Sequence, residues 1–90
     1  MRLDKFLKVS RIIKRRPVAK EVCDAGRISL NGRIAKAGSE VQVGDIINVS
    51  YGNRRLEAEI LLLAETMRAS EADTMYRVIS DVRVQKEPLI

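Results

Sequence analysis

Arg2, Lys5 and Lys8, then Arg11, Lys14, Arg15 and Arg16, then Lys20, place eight cations in the first twenty residues, with Asp4 the one acid among them. Such a run suits phosphate. An arginine fork donates two parallel hydrogen bonds to a phosphate, and a lysine supplies a compact, adjustable charge. Most charge runs are only solvated helical faces, but those usually carry acids as well, and this one is almost free of them. Lys36 adds a further cation in a turn. Asp4 would repel phosphate, so its expected part is structural: capping a first helix or orienting a neighbouring arginine. Arg16 precedes Pro17 and is expected in an extended backbone that aims its side chain.

Other chemistries find little support. The chain has no histidine to act as a base near neutral pH, and its single cysteine, Cys23, lacks a histidine partner. No Cys/His set with zinc spacing is present, and no glycine-rich phosphate loop. Glu57 and Glu59 lie two apart, as surface acids of a strand do. No catalytic residue, metal ligand or cofactor is expected, which makes the chain non-enzymatic. Cys23 falls on the apolar side of a helix as a buried thiol, and one cysteine fits a reducing cytoplasm.

The elements that must position these cations follow from periodicity. Leu3, Phe6 and Leu7 have the i, i+3, i+4 spacing of an apolar helical stripe, which predicts a short helix over residues 3–9. A connector follows, tucked onto the core by Ile12 and Ile13. Pro17 opens a second helix, in which Val18 and Val22, and Ala19 and Cys23, share a small apolar face. Gly26 ends it. Asn31-Gly32 between Arg27–Leu30 and Arg33–Ala35 predicts a tight hairpin. Val41 and Val43 alternate as in a strand, Gly44-Asp45 turns, and residues 46–51 form a strand. Gly52-Asn53 turns again into a half-buried strand in which Leu56, Ala58 and Ile60 alternate with charged residues. Ser70 suggests a helix start, residues 75–79 suit helix or strand, and Pro88-Leu89-Ile90 is expected to fray.

Ninety residues make one small domain. Residues 1–36 hold eleven Lys or Arg against three acids, a net of +8; residues 37–90 hold six against nine, a net of −3. The first part attracts polyanions; the second reads as an ordinary, slightly acidic scaffold. No apolar run has the length of a membrane span. Three aromatics, Phe6, Tyr51 and Tyr76, are too few for a platform that stacks base after base. A DNA-binding helix pair is the rival class, disfavoured by the long connector and the hairpin that follows.

The ordered set Arg2-Leu3-Asp4-Lys5-Phe6-Leu7, Arg16, Ala19 and Gly26-Arg27-Ile28-Ser29-Leu30-Asn31-Gly32 resembles the S-four RNA-binding domain, whose pattern runs R-L-D…L…S-R…A…G…V-x-V-N-G. Val41, Val43, Gly44-Asp45 and Val49 are similar to its closing segment. Arg15 stands where the family has serine, and Ile28 and Leu30 where it has valines. The resemblance implies an α+β fold, with two N-terminal helices packed on a small twisted antiparallel sheet. Residues 1–65 would form the S-four-like domain. Residues 66–90 would be a C-terminal extension, part of the same unit or partly flexible.

It also implies that Arg2 and Arg16 contact RNA, with Lys5 and Arg15 weaker matches. Stand-alone S-four domains of this length resemble two families, one of bacterial ribosome quality control and one of the heat-shock-protein-fifteen type. The Lys14-Arg15-Arg16 run and Met75-Tyr76 look closer to the first. The implied partners are large-subunit rRNA, peptidyl-tRNA on obstructed large subunits and a factor that adds alanine tails to stalled chains. The protein would then be a cytoplasmic, ribosome-associated monomer. The alternatives are recycling of stalled large subunits, or general binding of structured RNA or DNA. Shape and phosphates are what a small basic fold reads on A-form RNA. Neutralising about four to six phosphates implies a salt slope of about −3 to −5.

Overall fold

The apolar stripe of Leu3, Phe6 and Leu7 forms the inner face of helix α1 (Leu3–Val9), and all three are fully buried in the computed structural model, which describes residues 1–83. The expected fraying of Pro88-Leu89-Ile90 lies outside the described residues. No side chain at the N-cap closes the first turn of α1. Its free amides find partners nearby instead. The Leu3 amide donates to the Ser39 carbonyl at 2.8 Å and the Asp4 amide to the Ala37 carbonyl at 3.1 Å. The Lys5 amide donates to the Asp4 carboxylate at 2.9 Å. A buried helix end left without such partners would be costly.

Helix α2 (Arg16–Asp24) buries Ala19, Val22 and Cys23. It begins one residue earlier than Pro17 predicts: Arg15 is the extended N-cap and Arg16 the first helical residue. The expected extended backbone at Arg16 is therefore corrected. The two helices stop in the same way with different residues. Gly26 follows α2 with φ 74°, and the amides of Gly26 and Arg27 close back onto the Cys23 and Val22 carbonyls. Arg11 follows α1 with φ 62° and donates its amide to the Lys8 carbonyl. Helices favour Gly at this left-handed position, and here an arginine occupies it.

Five strands follow: β1 (Ile28–Leu30), β2 (Arg33–Ile34), β3 (Ile46–Tyr51), β4 (Arg54–Ile60) and β5 (Tyr76–Arg83). They form one antiparallel sheet in the order β2-β1-β3-β4-β5. Asn31 and Gly32 both have positive φ, 51° and 85°, as a type I′ turn between β1 and β2 requires. A 3₁₀ helix (Ala69–Met75) precedes β5, which begins where the sequence left helix and strand open. Ile28, Ile47, Val49, Leu56, Ala58 and Ile60 point inward and join the helices in one core.

The strand expected from Val41 and Val43 is absent. Val41 is buried, but Val43 is 61% exposed. Period-two alternation needs a partner ladder, and this segment spends its donors elsewhere. The Gln42 amide donates to Asp45, the Gly44 amide to the Ile60 carbonyl and the Val41 amide to the Met1 carbonyl.

Met75, fully buried at the foot of β5, ties the C-terminal part of the chain to the core. Met75→Ala is expected to cost about 2–5 kcal/mol by opening a cavity. Urea unfolding followed by circular dichroism should show one transition at lower denaturant. A separate early transition would mean that residues 66–83 unfold on their own.

Candidate nucleic-acid interface

Asp4 is 3% exposed, in the first turn of α1, and its carboxylate accepts four hydrogen bonds from three residues. Arg2 Nε donates to Oδ1 at 3.2 Å, and the Lys5 amide donates to the same oxygen. From the start of α2, Arg16 donates through Nε to Oδ2 at 3.3 Å and through Nη2 to Oδ1 at 3.5 Å. The arginine side chains stay half-exposed, 52% for Arg2 and 46% for Arg16. The acid is inside and the two forks remain open to a ligand. Both roles expected for Asp4 are realised: it accepts from the Lys5 amide in the first turn of α1 and orients two arginines.

Burial acts to raise the Asp4 pKa. Hydrogen bonding to Arg16 opposes it, reinforced by the charges of Arg16 and Arg2 and by the Lys5 amide, and the balance falls below the ordinary 3.8. The site therefore keeps its anion at any physiological pH. One carboxylate between two guanidiniums also leaves a net positive charge, because the second arginine is not neutralised. The loop carrying Gly38 packs beneath the Arg2 guanidinium, within 3.7–3.8 Å of where a Cβ would stand.

The remaining expected cations occupy different places. Lys20 lies one turn along α2 from Arg16 and is exposed, as is Lys8 on α1. Lys36 is exposed in the loop whose Ala37 carbonyl receives the Asp4 amide, so it neighbours the arginine pair. Lys5 is engaged: its ammonium pairs with Glu65. Arg11, Lys14 and Arg15 line a cleft that also receives Tyr51, Arg54 and Arg83 from the sheet. Sequence reasoning missed these last three. Their half of the chain is net acidic, and only antiparallel pairing brings Arg83 beside Arg54.

Cys23 is fully buried, and burial, with the charges of Asp4 and Asp24, pushes its thiol up to about 11. That is the chemistry of an inert core thiol. Among the described residues no cluster of three or more His, Cys, Asp or Glu could hold a metal ion, and no helix is long and apolar enough to cross a membrane.

Two short helices, a tight Asn-Gly hairpin and a paired arginine face define an S4-type domain. The S4 domain family is matched over residues 1–47, and the chain belongs to it. Similar proteins share almost its full length. The RQC P-site tRNA stabilizing factor of Halalkalibacterium halodurans is 51% identical over 86 residues, covering 96% of this chain and 98% of that protein. A heat shock protein 15 homolog of Haemophilus influenzae is 35% identical over 78 residues, covering 86% of this chain and 60% of that protein. The trimeric structure of Vibrio cholerae heat shock protein 15 superposes with a TM-score of 0.83 at 31% identity, covering 89% of this chain and 82% of that one.

Asp4→Asn keeps the shape but removes the charge between the arginines. It should cost about 1–3 kcal/mol, nearer the lower figure because both arginines are half in water. Because the folded pKa of Asp4 is lowered, its contribution is complete above 3.8 and is lost as pH falls through the folded value. The stability difference between wild type and variant, from urea titrations at successive pH values, should therefore close below pH 3.8. RNA affinity should fall too, although the variant is more positive.

Arg11→Gly relieves a left-handed backbone that a side chain resists, and should stabilise the fold by about 1 kcal/mol. It should also weaken RNA binding and lower the salt slope by about 1. Paired urea and binding titrations test the trade; unchanged affinity would place Arg11 outside the interface.

Proposed function

We propose that this protein is a non-enzymatic RNA-binding factor of ribosome-associated quality control, stabilising tRNA on the large ribosomal subunit. One observation carries the reading: Asp4 presents Arg2 and Arg16 together, half-exposed, on a chain 51% identical to an RQC P-site tRNA stabilizing factor. An arginine pair with a shared buried counter-ion is pre-organised, so little side-chain entropy is lost when phosphate arrives. Arg2 and Arg16 form the centre of the proposed site. Lys8, Lys20 and Lys36 extend it, Arg11, Lys14 and Arg15 form a second part, and Lys5 contributes when its pair with Glu65 is exchanged for phosphate.

In this reading the factor works in the cytoplasm as a monomer bound to obstructed large subunits. It contacts large-subunit rRNA and peptidyl-tRNA together, and so favours repeated rounds of alanine tailing by the tail-synthesising factor. No step needs a cofactor. In the same reading residues 66–83 belong to one folded unit with residues 1–65, which the β4–β5 pairing supports. Recycling of stalled subunits without tail synthesis is the second reading, favoured by the likeness to heat shock protein 15. Coverage weighs against it, since the match takes in 60% of the heat-shock homolog and 98% of the stabilizing factor.

Sedimentation of the tagged protein through a sucrose gradient of bacterial lysate tests the proposal. Co-migration with tRNA-bearing large subunits is expected, and Arg16→Ala should shift the protein toward the top without unfolding it. Binding to structured RNA should follow a salt slope of about −3 to −5. Migration with small subunits only, or equal binding to duplex DNA at the same salt, would reject the role. Loss of subunit binding without loss of tail synthesis would favour recycling.

A further inference from the structure

Between the connector from α1 to α2 and the β3–β4 hairpin lies an open cleft of about 610 Å³. That is within the range of about 300–1,000 Å³ usual for small-ligand sites. Part of its lining is apolar: Ile12 and Ile13 from the connector and Val18 from α2. Arg11, Lys14 and Arg15 stand around it on one side and Arg83 on the other, all four exposed. Among the described residues none of these four is held in an ion pair, whereas Arg54 is held by Asp81 at 3.0 Å. Among the described residues no carboxylate lines the cleft.

The third component is Tyr51. Phe6 is fully buried and Tyr76 half-buried, so Tyr51, 44% exposed, presents the most accessible aromatic ring of the chain, and it lines this cleft. An open ring beside apolar side chains, ringed by unpaired cations, has the chemistry of a nucleotide site. The ring takes a base face, and guanidinium and ammonium groups take the flanking phosphates. A fully paired A-form helix keeps its bases stacked and can present only phosphate and ribose here. Asp4, Arg2 and Arg16 do not line the cleft, so phosphate held by that pair leaves it free for a second element of the same RNA.

We propose that this cleft captures one unstacked RNA nucleotide, its base against Tyr51 and the apolar lining and its phosphates on Arg11, Lys14 and Arg15. The proposal rests on the RNA-binding reading above and adds the unit recognised: a bulged or looped-out nucleotide beside a paired stem. It also gives three of the sequence's cations a task different from that of Arg2 and Arg16. The two surfaces divide the work between an unpaired base and paired backbone.

The full chain is titrated, at one salt concentration, with three RNA hairpins sharing a stem: fully paired, with one bulged nucleotide, and with the same bulge made abasic. The bulged hairpin is expected to bind about ten-fold tighter than the paired one, with the abasic bulge returning to the paired value. Tyr51→Ala should erase the preference and Tyr51→Phe should keep it. Arg16→Ala should weaken all three hairpins by a similar factor. Equal affinity of the wild-type chain for the three hairpins, with ordinary salt dependence, would overturn the cleft proposal and leave the RNA-binding function standing. Failure to bind any hairpin would overturn both. The comparison of hairpins uses the unaltered chain, so a poorly folding variant does not decide it.

Discussion

A carboxylate as deeply buried as Asp4 keeps its charge only when donors replace the water it has lost. Here the replacement comes from Arg2 just before α1, the Lys5 amide within it, and Arg16 at the start of α2. The same contacts fix how the two helices meet. Without the anion, two guanidiniums would face each other across a gap and repel. With it, they are held side by side with their outer edges in water. The packing of the helices and the shape of the cationic face thus depend on one group.

The turns obey a similar economy of polar groups. The Asn31 side chain donates to Asp45 and accepts from the Ile46 amide, while the other Asp45 oxygen accepts from the Gln42 amide. Two motif residues far apart in the chain therefore join the β1–β2 hairpin to the entry of β3. The family pattern contains two kinds of residue. Asp4, Asn31, Gly32, Gly44 and Asp45 satisfy the backbone or accommodate its sharp turns. Arg2 and Arg16 are oriented by Asp4 and left open to a partner.

Charge is distributed less simply than the two halves of the sequence imply. The acidic half supplies Arg54 and Arg83 to the cleft beside the connector, and Glu65 reaches back to occupy Lys5. Arg11 adds a backbone feature to the same region. A left-handed arginine where α2 has Gly26 is a local cost that the surrounding structure sustains. The cationic surface is therefore two separate constructions, one organised by a buried acid and one by an apolar cleft with a tyrosine.

The sequence by itself determined both helices, the Asn31-Gly32 hairpin, strands β3 and β4, the burial of Cys23 and the concentration of positive charge in the first 36 residues. Those features are written in short-range patterns, since a helical stripe or a turn dipeptide works through neighbours three or four residues away. Val41 and Val43 mark where such patterns fail, because their alternation had no ladder to serve. Tertiary structure alone decided that Asp4 would clasp Arg16, that Lys5 would meet Glu65, and that Arg11, Tyr51 and Arg83 would share a cleft. Each of those meetings depends on how helices and strands pack, and no local spacing encodes the distance between residues that only the fold brings together.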